Sequence, residues 1–272
     1  MGAMIPPAGR IGYAGGVTPP RGKGIYTREP SLYPGADPVA YARALRCDFV
    51  VLLNGAGVEQ LARRAKHMGM GVWLYSLPET WALSNWPATF SAILERVVRL
   101  GLDGFVADVE NDDWIGQRDE IQALAESLDY ASRHRVSVGL TSYPQWAPFE
   151  QIAEVAPLVW GSPQLYGVME PGSVAELKHR AAPWRYVFSD VVLSLAAYGR
   201  TAAEQSPYLA GFADEPAAIF WQSRSSGEPP HILPMPGQTL FSVLRDFTLK
   251  ISIVKRFFEQ LFSTARNPLS FR

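Results

Sequence analysis

Short apolar runs alternate along this chain with stretches whose apolar positions recur every three or four residues. The runs, rich in Val, Ile, Leu and aromatic residues and bounded by Gly, Pro, Asn or Asp, read as strands at 24–27, 49–53, 71–76, 104–110, 136–142, 158–166, 191–197 and 217–222. Between them the helical period predicts helices near 38–46, 57–68, 87–100, 117–134, 148–155, 173–182 and 201–212, the last interrupted by Pro207. Eight strands separated by helices argue for parallel strand–helix–strand units, and eight such units close a (β/α)8 barrel, the TIM barrel of the α/β class. An open doubly wound sheet is the rival. It usually has fewer strands and a Gly-rich phosphate loop after the first. No G-x-G-x-x-G follows a strand here and no P-loop occurs, so no nucleotide cofactor, and no other cofactor, is expected.

The pattern changes at both ends. Residues 1–22 carry Pro6-Pro7, Gly15-Gly16 and Pro19-Pro20 and read as an extended arm; the barrel is expected over 23–238. In 239–272 a heptad stripe runs through Leu240, Leu244, Phe247, Ile251, Val254, Phe258 and Leu261, widened by Phe241, Val243, Leu249, Ile253, Phe257 and Phe262. This amphipathic C-terminal helix reads as a lengthened last barrel helix. A second reading has residues 240–262 docking on a protein partner or on another copy of the chain. A membrane-surface helix has little support, because the excess of Lys and Arg is modest.

Composition narrows the classes. The 272 residues hold 25 basic and 26 acidic side chains, so charge gives no reason to expect a nucleic-acid partner. Cys47 is the single cysteine, which excludes an intrachain disulfide and a cysteine-based zinc site. The first residues lack a basic segment followed by an apolar one, so no signal peptide is read, and no apolar run reaches the ~18 residues of a spanning helix. A soluble protein, cytoplasmic at synthesis, is expected; virion association or release by lysis would bring it to an external substrate. Of the histidines, His67, His134 and His179 fall in helices and His231 in a Pro-rich loop, which supports neither a zinc triad nor a Ser-His-Asp triad.

The chemistry concentrates in Leu102-Asp103-Gly104-Phe105-Val106-Ala107-Asp108-Val109-Glu110. Alternation along a strand points Asp108 and Glu110 to the same side, with Cβ atoms roughly 7 Å apart. Paired carboxylates at the end of an apolar strand repel, and they are the groups that acid-catalysed cleavage of a glycosidic bond requires. Glu110 is the expected general acid, its protonated form favoured by the neighbouring charge and the apolar setting. Asp108 is expected to stay ionised and to stabilise or orient the reacting sugar. The plain alternative is a pair that caps the next helix or holds an arginine. Asn111-Asp112-Asp113 follows directly; a hard-cation site is conceivable there, but a solvated, helix-capping loop fits better, and no metal is assigned. Other predicted strands end in Tyr26, Asn54, Tyr75, Tyr143, Gln164 and Tyr166, Tyr198, and Trp221 and Gln222. In a barrel these ends meet at one mouth, and Tyr and Trp suit the apolar faces and hydroxyl rims of sugars, although a core uses the same residues.

These residues carry a resemblance. Asp103-Gly104 with Asp108-x-Glu110 resembles the fourth-strand signature of chitinase-type (family 18) glycoside hydrolases, with Gln164-Leu165-Tyr166 and Phe220-Trp221 where that clan keeps a tyrosine and a tryptophan. The Asp-x-Glu pair and Trp221-Gln222 are also similar to family 25 lysozymes. The order Ala107-Asp108-Val109-Glu110, Ser142-Tyr143-Pro144, Pro163-Gln164-Leu165-Tyr166, Ala197-Tyr198-Gly199 and Phe220-Trp221 is similar to glycosidase-like barrels of phages and bacteria. The resemblance spans about residues 24 to 222. The chitinase signature has a further aspartate where this chain has Val106, which weakens a chitinase assignment and is neutral for a lysozyme-like one.

The resemblance implies a glycosidase acting on N-acetylhexosamine polysaccharide, peptidoglycan ahead of chitin. Glu110 would protonate the bridging oxygen and Asp108 would orient the substrate's acetamido group for attack on C1. Tyr166 would bond near that group, Trp221 would floor the sugar, and Tyr26, Tyr75, Tyr143, Gln164 and Tyr198 would line the cleft. The alternative from another class is a non-catalytic carbohydrate-binding or structural barrel, a component of a phage particle.

Overall fold

A computed structural model describes residues 18–28, 30, 33–77, 80–81, 85–109, 118–144, 155, 158–165, 173–196, 211–212 and 214–221. Most of the N-terminal arm, nearly all of the predicted helices at 148–155 and 201–212, and the heptad segment 239–272 lie outside these residues. So do Glu110, Asn111-Asp112-Asp113, Tyr166, Tyr198, Gln222 and His231.

Eight strands form the centre: β1 (Gly22–Thr27), β2 (Phe49–Leu53), β3 (Gly71–Ser76), β4 (Gly104–Asp108), β5 (Ser137–Ser142), β6 (Trp160–Leu165), β7 (Leu193–Ala196) and β8 (Ala217–Trp221). All neighbours pair in parallel, and β8 returns to β1 through Gly22↔Ala217 to Ile25↔Phe220, so the sheet is a closed (β/α)8 barrel. Five α-helices are seen among the described residues: α1 (Pro38–Ala44), α2 (Val58–His67), α3 (Trp86–Leu100), α4 (Arg118–Arg133) and α5 (Val174–Val187).

The apolar runs are continuous because both strand faces are covered. Outward residues such as Val50, Leu52, Val72, Leu74, Phe105, Ala107, Val138 and Leu140 pack under Ala62, Ala65, Phe90, Leu94, Val97 and Leu128 of the helices. The alternate positions, Tyr26, Phe49, Val51, Trp73, Tyr75, Val106, Trp160 and Ile219, fill the barrel. Its lower layer mixes extremes of size: a Cβ on Gly139 would lie 2.4 Å from the Trp160 ring, so only glycine leaves the indole its space.

Local signals set the helix ends. Asp37 accepts from Ala40 N–H at 3.0 Å with Pro38 opening α1. Ser173 accepts from Glu176 N–H at 3.2 Å to start α5, and α3 stops at Gly101, whose φ of 59° is left-handed. Most predicted ends shift by two residues or fewer, and one moves further: α5, predicted to end at 182, runs through Pro183 to Val187. Proline there removes the bond to the His179 carbonyl, which lies on the exposed side of the helix. Beyond it Trp184 is buried and stacks on Phe188 at 5.2 Å, so packing carries the helix past its breaker.

The amino-terminal face of the barrel is knitted by two aspartates. Asp48, before β2, accepts from Lys23 N–H of β1 at 2.8 Å; Asp103, before β4, accepts from Val72 N–H of β3 at 2.7 Å. Asp103 therefore supports the strand that carries Asp108 from the end opposite the mouth.

Candidate active site

The carboxyl ends of the strands divide into a polar and an aromatic wall. Asp108 is the last residue of β4 and shares the inward parity of Gly104 and Val106; it is 7% exposed. The carboxamide of Gln164, on the inner face of β6, donates to Asp108 Oδ1 at 2.6 Å. Below them the inward hydroxyls of β5, β6 and β7 link up. Thr141 Oγ1 donates to the Ser162 carbonyl at 2.7 Å, Ser162 and Ser194 hydroxyls lie 2.8 Å apart, and Ser194 meets the Tyr26 hydroxyl at 3.3 Å.

Opposite stand three rings from β1, β3 and β8. Tyr26 and Tyr75 are 5.2 Å apart at 74°, Tyr26 and Trp221 5.6 Å at 63°, and Tyr75 and Trp221 6.1 Å at 84°. Each pair meets edge to face, the geometry favoured by the ring quadrupoles. The two tyrosines are buried and Trp221 is half-buried, so the indole forms the accessible surface over a tyrosine layer. Arg28, just past β1 and half-buried, places its guanidinium 5.8 Å from the Trp221 ring centre.

Burial raises the pKa of Tyr26; hydrogen bonding to Ser194 opposes this, and the Asp108 carboxylate adds to it. Tyr75 is raised chiefly by burial, with the Arg28 charge acting against the shift and Asp108 with it. Both phenols therefore remain neutral donors at any ordinary pH. Among the described residues, the Tyr75 hydroxyl and Gln164 Oε1 are buried and meet no hydrogen-bond partner. Unmet polar atoms of this kind cost about 1–3 kcal/mol each and are relieved by a bound ligand or water.

The mouth thus brings together Tyr26, Tyr75, Asp108, Gln164 and Trp221. Tyr143 is half-buried directly after β5. Glu110, Tyr166 and Tyr198 lie outside the described residues. Asn54 does not join the mouth: it has the outward parity of Val50 and Leu52 and accepts from Arg96 of α3 at 2.8 Å. Thr141, Ser162, Ser194 and Arg28 join the site although none is an aromatic or acidic strand end. Period-two counting back from Gln164 and forward from Tyr26 would have placed Ser162 and Arg28 on the inner side. Among the described residues no cluster of three His, Cys, Asp or Glu is arranged to hold a metal ion. No described helix is long and apolar enough to cross a membrane.

No protein-family model matches the chain, and no curated protein matches it. Solved structures do. The chain is similar to the catalytic domain of a mannanase from Streptomyces sp. SirexAA-E, with a TM-score of 0.50, 13% identity, and 78% of each chain covered. It is similar to an AP endonuclease of family 2 from Brucella melitensis, with a TM-score of 0.52, 11% identity, and 76% of this chain and 95% of that one covered. The spore cortex-lytic enzyme SleL of Bacillus megaterium QM B1551 aligns at a TM-score of 0.49 and 9% identity, over 66% of this chain and 52% of that one. At 11–13% identity these likenesses show the fold alone, that of a TIM barrel.

Proposed function

We propose that this barrel is a glycoside hydrolase acting on N-acetylhexosamine polysaccharide, with peptidoglycan ahead of chitin. The observation that carries the reading is the buried carboxylate of Asp108, gripped by the Gln164 amide and facing an aromatic wall topped by Trp221. A fixed carboxylate stabilises or orients a group that gains positive charge, and an indole supports the apolar face of a sugar ring. The Gln164 acceptor and Tyr75 donor, which no described residue meets, suit a ligand rich in hydroxyl and amide groups.

In this reading Glu110, two residues beyond Asp108, supplies the proton. The C1–O bond breaks as that proton passes to the bridging oxygen, and the acetamido carbonyl oxygen, oriented by Asp108, bonds to C1. Water then opens this intermediate, returning a proton to Glu110. Tyr166 bonds near the acetamido group, and Tyr143 and Tyr198 complete the cleft. The test is hydrolysis of purified peptidoglycan and of chitin oligomers by wild type and by Glu110→Gln. The expected result is turnover by wild type that falls by about 10²–10⁴-fold in the variant. Retention of glycan by a wild type that never cleaves it would instead mean a non-catalytic carbohydrate-binding barrel, such as a component of a phage particle.

A further inference from the structure

The helix layer carries a groove that the chemistry of the mouth does not use. It lies between α3 and α4 and has a volume of about 340 Å³. Ser91, Leu94 and Glu95 of the first helix and Glu126, Ser127 and Tyr130 of the second line it. Its floor is small and apolar: the Ser91 and Ser127 hydroxyls meet at 3.0 Å, and Leu94 is buried. Its rim is acidic. Glu95 and Glu126 are exposed, and Glu126 accepts from Gln122 Nε2 at 3.0 Å. Among the described residues neither carboxylate pairs with a cation. A groove with one carboxylate on each bank suits a helix whose apolar stripe is flanked by cations.

The chain contains such a stripe. In the heptad register of 240–262, Leu244, Ile251 and Phe258 take the a positions, and Leu240, Phe247, Val254 and Leu261 the d positions. The flanking g and e positions then include Lys250 and Lys255 and no acid, while Asp246 and Glu259 fall on the far side at c and b. Two heptads of helix extend about 21 Å, which matches α3 and α4, whose 15 and 16 residues extend about 22 and 24 Å. The seam between β8 and β1 has less use for so long a stripe. Its outward residues Ala218 and Phe220 cluster with Leu177, Ala181 and Phe212, and Ile25 shares a cluster with Val39 and Ala42.

We propose that the groove between α3 and α4 receives residues 244–258 of a second copy of this chain, with Lys250 and Lys255 set against Glu95 and Glu126. β8, from which the segment leads, lies four strands from β4 in both directions around the barrel. Within one copy the link would have to cross the mouth or half the girth of the barrel; between copies it does neither. Each copy offers one segment and one groove, so mutual exchange closes a symmetric dimer. The inference does not depend on what the mouth cleaves.

The test is a charge exchange in the full-length chain, read by sedimentation equilibrium at low salt. Wild type is expected to be dimeric at micromolar concentration, and rising salt should weaken the dimer. Glu95→Lys/Glu126→Lys should weaken it about 10- to 100-fold, as two attractive surface pairs become repulsive. Lys250→Glu/Lys255→Glu should weaken it by a similar factor, and the four changes combined should restore most of the lost affinity. Circular dichroism checks that each variant folds. Glu95→Gln/Glu126→Gln, expected to give a smaller loss of the same sign, stands in for a reversal that does not. Carbodiimide coupling of carboxylate to lysine is then run on a mixture of isotope-labelled and unlabelled chains. It should yield peptides that join Glu95 or Glu126 to Lys250 or Lys255 and carry both isotope compositions. A monomeric wild type, or a dimer that neither reversal weakens, overturns the proposal. Reversals that weaken the dimer singly and are not rescued in combination overturn the pairing of these charges. Coupled peptides of a single isotope composition would place the segment on its own copy and overturn the exchange.

Discussion

The Gln164 amide meets Asp108 Oδ1 at 2.6 Å across 56 positions of sequence and two intervening strand pairings. The bond ties the carboxylate to β6 and gives it a donor where Val106, the next inward residue below it, offers only methyl groups. Gln164→Leu removes that donor from a buried anion and is expected to lower stability by about 2 kcal/mol. Asp108→Asn keeps a neutral partner for the amide and is expected to unfold within about 1 kcal/mol of wild type while turnover falls by about 10²-fold or more. Urea unfolding at neutral pH together with hydrolysis assays checks both. A Gln164→Leu protein as stable as wild type would show that the bond contributes nothing.

Trp221 touches both tyrosines of the wall and lies beside Arg28. Trp221→Ala is expected to destabilise the barrel by about 2 kcal/mol, less than a fully buried tryptophan because the ring is half-buried. Its effect on glycan retention should be larger, because the ring is the stacking surface. Affinity electrophoresis through immobilised peptidoglycan is the measure. Retention equal to wild type would put the sugar elsewhere.

How much of this was legible in the sequence follows from which side-chain property was being read. The ranges of β2 and β3 coincide with their apolar runs because Asp48 and Asn54 bound the first and Gly69 and Pro78 flank the second. Helix α5 outran its prediction because a proline was read locally, whereas Trp184 and Phe188 act through tertiary packing. Within the site, Asp108, Gln164 and Trp221 stood out as chemistry at strand ends. Asn54 follows its strand at the right end but on the outward parity, and Thr141, Ser162 and Ser194 carry no distinctive signal because small hydroxyl residues are common everywhere. Only the closed register shows that their hydroxyls converge on Tyr26.

Cys47 lies in the core at the amino-terminal face, and burial pushes its thiol up from 9.0 to about 12, with the Lys23 charge opposing. The folded state thus holds a proton that the unfolded chain releases above pH 9. Stability from this group is complete below that pH and is lost as pH climbs toward 12. Wild type should therefore lose stability between pH 8 and 10.5 more steeply than Cys47→Ala, by up to about 2 kcal/mol at the upper end, since each pKa unit is worth about 1.4 kcal/mol. Denaturant midpoints over that range decide it. Parallel curves for the two proteins would show that the thiol is not shielded as the fold places it. Native protein should also resist thiol alkylation at pH 8.

Gly104 begins the strand that carries Asp108, and a Cβ built on it would lie 2.1 Å from the Ser137 carbonyl oxygen and 2.4 Å from Trp73 Nε1. The first contact is backbone of the adjoining strand and cannot rotate away. The second is an indole packed edge to face on Phe49 at 5.2 Å. Gly104→Ala must therefore push β4 from β5 or displace Trp73, and about 3 kcal/mol or more of stability should be lost. Because β4 ends at Asp108, the shift should also loosen the bond to Gln164, so turnover should fall even in protein that remains folded. Gly55→Ala is the matched control: nothing lies within 4 Å of its Cβ position, and a change of no more than about 0.5 kcal/mol is expected. Thermal unfolding of the two variants beside wild type separates the cases, and a Gly104→Ala protein that melts with Gly55→Ala would contradict the packing of the barrel's lower layer.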